Sequence, residues 1–181
     1  MIPAEFRWSL QPLRGCVVFI GIVASVLLAA GPSGGYAQSA GPTTTTKQII
    51  TLDGANTIVS AAVVHAKNVG VLEVIAVYDS TGLLKALASV DGARVTSVNF
   101  ALDKAWTAAR REAATRDLAD ALASQPAVNT PSFLKQPQVT LLGGGIPIVV
   151  DGQVVGGIGA SGGTIAQDIE VSNAGLAAIQ H

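Results

Sequence analysis

The chain has 181 residues, enough for one domain with its own core. Its formal net charge is −1 and no basic patch stands out, which argues against nucleic acid as a partner. Hydrophobic residues make up 49% and charged residues 13%, with a mean hydropathy of +0.48, so the apolar excess has to be located.

Part of it lies at the N-terminus. Arg7 and Arg14 precede the apolar run CVVFIGIVASVLLAAG, and GPSGGYA follows, with Gly35 and Ala37 at the −3 and −1 positions of a cleavage site. A basic region, an apolar stretch and a small-residue exit make a secretory signal peptide, residues 1–37. The alternative is an uncleaved anchor, but the run is shorter than the roughly 20 residues a spanning helix needs. Cys16 opens the apolar run rather than following it, which excludes a lipoprotein site. Cleavage removes the only Cys and the only Met. The mature chain then has neither disulfide nor thiolate metal site, and a secreted or periplasmic location is expected.

Residues 38–49 are polar and aperiodic at first and read as a flexible leader. From Thr51 apolar residues recur at helical spacing through Val69, with Thr51 as cap and Asn68 and Gly70 as stop. VLEVIAVYD and LLKALASVD flank Ser80-Thr81-Gly82 and form a hairpin over residues 71–91. Residues 97–113 are expected to be helical with Ser97 as cap, and a shorter helix runs from Thr115 to about Ala123. Three prolines between 125 and 138 mark a loop. IPIVV, Asp151-Gly152 and QVVGGIG make a second hairpin. Thr164 and Gln167 offer a capping box for a last helix over 165–179. Strands joined by tight turns pair antiparallel, so the fold class is α+β, an antiparallel sheet built from hairpins with helices packed against it.

The glycine run after the second hairpin admits three readings. Gly157, Gly159 and Gly162 match a dinucleotide-binding pattern, but too little chain follows Gly163 for the second strand of a βαβ unit. Gly159, Ser161 and Gly163 match a nucleophile elbow, with Asp168 and His181 in triad order, although an elbow belongs on a largely parallel sheet and His181 ends the chain. The third reading is backbone freedom: thin strand residues and a tight turn into a helix N-terminus that attracts anions.

LDGANTIVSAAVVHAKNVGV, VIAVYDSTGLLKALASVDGA, FALDKAWTAA, GGGIPIVVDGQVVGGIGASGG and QDIEVSNAGL, in this order, resemble the GlcG/HbpS family over about residues 50–180. The resemblance implies a haem-binding domain, residues 50–181, with haem or a related tetrapyrrole as ligand. It also implies a homo-oligomer, with the ligand in a cleft near the second helix and the 156–163 turn. Iron is usually held by His, Cys, Met or Tyr, which leaves His65, Tyr78 and His181 in the mature chain. His65 borders the apolar face of the first helix, where a packing role is the competing reading; Tyr78 has the same competitor in the sheet. Arg94, Lys104 and Arg110 offer charge for the propionates, and Lys104 and Thr107 share a helix face beside the ligand. Gly159, Ser161 and Gly162 complete the expected site at the turn. No structural metal is expected, and the protein reads as a binder rather than a strong catalyst. A small serine hydrolase using Ser161 and a partner-binding protein without haem are the rival readings.

Overall fold

The structure, a computed structural model, describes residues 44–124 and 136–180. The proposed signal peptide, the first part of the leader, most of the proline-rich loop and His181 lie outside the described residues.

The four helices and two hairpins of the sequence pattern are all present among the described residues, in the expected order. Helix α1 spans Leu52–Asn68, and Thr51 Oγ1 accepts a hydrogen bond from the Gly54 amide at 3.1 Å, the expected N-cap. Strands β1, Val74–Asp79, and β2, Leu84–Ser89, form the first hairpin. Its turn is closed by the Asp79 carboxylate, which accepts from the Thr81 and Leu83 amides at 2.9 and 3.1 Å. The strands are shorter than the apolar run suggested, since the Val71 amide still bonds back to Ala66 in α1.

Helix α2 spans Val95–Arg111, two residues earlier than the expected start. Its N-cap is Arg94, and Ser97 is a buried helical residue rather than the cap. Glu112, at φ 54°, ends it in the left-handed conformation. Helix α3 follows, Thr115–Ser124. Strands β3, Gly145–Val150, and β4, Gln153–Ser161, meet at Asp151-Gly152, where both residues have positive φ (49° and 75°), as a two-residue hairpin turn requires. Helix α4, Ile165–Ala177, begins with the expected capping box between Thr164 and Gln167.

The sheet is antiparallel throughout, in the order β2-β1-β4-β3. The two hairpins join through β1 and β4, with Val74 opposite Ser161 and Tyr78 opposite Gly157. Strand β1 is buried along its whole length, so its alternate side chains feed two cores. Ile75 and Val77 pack with α1 and α4 on one face. Val74, Ala76 and Tyr78 pack with Ala101, Ala105 and Ala109 of α2 on the other. The α2 face is made of small residues for a steric reason. A Cβ at Gly157 would strike the backbone of Ala105 and Ala109, and one at Gly159 would strike that of Ala101 and Ala105. These glycines let the helix lie directly on the strand.

Candidate functional site

The closeness of α2 to β4 carries Lys104 into the protein. Only 2% of the residue is exposed. Its Nζ donates to the Ala160 carbonyl at 3.0 Å and to Asp168 Oδ2 at 2.5 Å. Asp168 comes from the first turn of α4, and its Oδ1 accepts the Gly163 amide at 3.0 Å. One buried ion pair therefore ties α2, the end of β4 and the start of α4 together. Arg94 reaches the same turn from outside, donating from Nη2 to the Gly162 carbonyl at 2.9 Å.

Glu73 lies beside this pair. It is fully buried, and neither carboxyl oxygen has a hydrogen-bond partner among the described residues. Burial pushes its pKa up to about 7; the Asp168 carboxylate adds to the rise and the Lys104 ammonium opposes it. A carboxyl with this pKa is mostly neutral below neutral pH and exchanges its proton in the neutral range. The sequence reading passed over Glu73 as a site. The signal was a single charged residue inside the apolar run VLEVIAV.

Above the pair lies a cleft of ≈ 390 Å³, bordered by Arg94, Gly162, Gly163, Gln167, Leu72 and Gly92. Three amides around the start of α4 are already engaged there. Gly163 N bonds Asp168, Thr164 N bonds Gln167 Oε1, and Gln167 N bonds Thr164 Oγ1. The helix terminus therefore offers less to an anion than the sequence suggested, and Arg94 is the cationic group in the wall.

The structure brings Arg94, Lys104, Ser161 and Gly162 together at this turn and separates the other expected residues from it. Gly159 sits beneath α2. Tyr78 is buried on the α2 face, only 7% exposed, and its pKa is raised by burial and by the Asp103 carboxylate. Thr107 is fully buried; its hydroxyl donates to the Gln138 carbonyl and accepts from the Thr140 amide, both at 3.0 Å. It anchors the strand-ward end of the long loop.

His65 lies on the opposite side of the sheet, on α1. Its Nε2 is 2.9 Å from Glu170 Oε1 of α4. The imidazole is 30% exposed and borders an open groove of ≈ 420 Å³ with Ser60, Ala61, Val64, Asn68 and Ala174. His65 is thus half-buried against the helix pair and has a carboxylate partner in Glu170. A carboxylate on one ring nitrogen is the arrangement that orients metal-binding histidines.

The serine-nucleophile motif loses its middle member. Both Asp168 oxygens are occupied, by Lys104 and by the Gly163 amide, and His181 lies outside the described residues. Among the described residues no group of three or more His, Cys, Asp or Glu is placed to hold a metal ion. No described helix is long and apolar enough to cross a membrane.

Residues 50–177 match the family model described as haem degrading protein HbpS-like. The chain belongs to the HbpS-like family. Solved structures with this fold are similar to it along nearly their whole length. The crystal structure of HbpS is 32% identical, with a TM-score of 0.70 over 78% of this chain and 97% of that one. The Klebsiella pneumoniae protein ORFY is 30% identical, with a TM-score of 0.72 over 77% and 97%. A structure described as a PduOC–haem complex is 30% identical, with a TM-score of 0.66 over 73% and 96%. Among curated proteins, Escherichia coli GlcG is 34% identical over 64% of this chain and 84% of its own length. The match to the Salmonella typhimurium corrinoid adenosyltransferase PduO spans 75% of this chain but only 40% of that protein. This HbpS-like chain therefore corresponds to part of the adenosyltransferase. The expected antiparallel α+β architecture is the family's own.

Proposed function

We propose that this HbpS-like protein binds haem, with His65 as the axial ligand and Glu170 as the group that orients it. The observation that carries the reading is the His65–Glu170 pair at the edge of an open groove, in a family that includes a haem complex. The donor set fits the cofactor. Haem iron accepts a neutral imidazole nitrogen, and a carboxylate on the other ring nitrogen fixes the tautomer and raises ligand basicity. Ala61, Val64 and Ala174 give the groove the apolar surface that a macrocycle needs. The Arg94 cleft offers no imidazole, thiol, thioether or phenol among its lining residues, so it suits iron poorly. Tyr78 and Thr107 support the reading less, since both are buried and packed.

The groove is open and covers one side of a flat ligand. A second copy of the chain covering the other side follows from that shape, and a homo-oligomer is part of the reading. Secretion through residues 1–37 is the other part, supported by the basic, apolar and small-residue pattern of that segment. Haem bound this way is held rather than turned over.

Titration of the purified chain with haem, read in the Soret region, tests the proposal. The expected result is a saturable, shifted band that His65→Ala removes while Tyr78→Phe leaves it in place. A featureless, non-saturating titration, or full binding by His65→Ala, would overturn it.

A further inference from the structure

Glu73 has no part in the haem reading, yet its position is costly. A buried carboxylate without hydrogen bonds is disfavoured in its charged form, so the site selects the neutral acid. Two charged groups act on it, Lys104 from α2 and Asp168 from α4. The same two hold the turn that follows β4: Lys104 Nζ bonds the Ala160 carbonyl, and Asp168 Oδ1 bonds the Gly163 amide. Gly162 and Gly163 form one wall of the cleft, and Arg94 holds the Gly162 carbonyl from the solvent side. The backbone at this wall also leans on Glu73, since a Cβ at Gly162 would meet Glu73 Cα at 2.8 Å.

We propose that Glu73 is a proton-operated latch on this cleft. With Glu73 neutral, Lys104 belongs wholly to Asp168 and Ala160, and the 160–163 turn is held closed. When Glu73 gives its proton to solvent, a second buried carboxylate competes for Lys104 and repels Asp168. The ties to Ala160 and Gly163 then weaken together, and the wall bordered by Arg94 moves outward. No other bond is made or broken. A pKa of about 7 puts the change within the neutral range, and the cleft becomes more accessible as pH rises.

Two readings of the full-length protein test the latch. An infrared difference titration reports the protonated carboxyl, and hydrogen exchange reports the Gly163 amide. Between about pH 6 and about pH 8 a group of this pKa goes from about nine-tenths neutral to about nine-tenths ionised. The expected result is loss of a protonated-carboxyl band across that range. Opening at Gly163 should rise about tenfold in the same range, after correction for intrinsic exchange. Glu73→Gln, which keeps the neutral shape, should abolish both changes. Should that variant not fold, the wild-type pair of readings decides alone. The idea is overturned by the absence of a protonated carboxyl at the lower pH, or by its loss with Gly163 protection unchanged.

Discussion

His65 and Glu170 are separated by 105 positions in the chain and meet because α1 and α4 share one face of the sheet. The pair is partly solvent-exposed, with Glu170 at 57%, so as an isolated contact it adds little to stability. Under the proposed haem reading its role is orientation, and that can be separated from folding. Glu170→Gln keeps the size and a hydrogen-bonding atom but removes the negative charge beside the imidazole. Haem affinity is expected to fall about 10–100-fold, the usual cost of losing an outer partner of a metal-binding histidine. The unfolding midpoint in denaturant should stay within experimental error. Unchanged haem affinity in Glu170→Gln would show that the contact only decorates the helix surface.

The secondary elements were legible where the signal is local. The Asp151-Gly152 turn, the Thr51 cap and the Thr164–Gln167 capping box depend on neighbouring residues, and each stands where the pattern put it. The start of α2 was not legible in the same way. Ser97 is a better cap by type, but the helix starts earlier, after Arg94, which makes no side-chain capping bond and instead sends its guanidinium across to Gly162, 68 residues away. The glycines of β4 show the same limit. Their number was plain, and their reason, a helix backbone resting on the strand, needs the third dimension. That reason gives a test at this scale. In Gly157→Ala the added methyl meets main-chain atoms of Ala105 and Ala109, which cannot swing aside as a side chain can. Destabilisation of about 1–3 kcal/mol or more is expected from overpacking, measured by denaturant unfolding. A cost under about 0.5 kcal/mol, the range of an ordinary surface change, would mean that α2 sits farther from β4 than described.

Across the whole molecule, two buried carboxyls give stability opposite dependences on pH. Asp79 is 1% exposed. Burial raises its pKa, but the Thr81 hydroxyl, the Leu83 and Thr81 amides and Lys85 together outweigh burial and hold it below the usual carboxylate value. The folded state thus binds this proton less tightly than the unfolded chain. Its contribution is full above the ordinary carboxylate range and is lost as pH falls through the lowered folded value. Glu73 has the opposite sign. Its folded pKa of about 7 lies above the ordinary 4.5, so the folded state binds the proton more tightly. Stability from that source is full below 4.5, falls as pH rises towards about 7, and changes little beyond. Burial raises Asp103 as well, which acts in the same direction. The stability maximum should therefore lie on the acid side of neutrality, between the two titrations. Thermal unfolding followed by circular dichroism from about pH 3 to about pH 9 checks this, since each proton-binding difference sets the slope of stability with pH. Glu73→Gln should flatten the fall towards neutral pH and leave the acid limb intact, because Asp79 lies at the other end of β1 from Glu73. An unchanged profile in that variant would return Glu73 to an ordinary acid and remove the physical basis of the latch along with it.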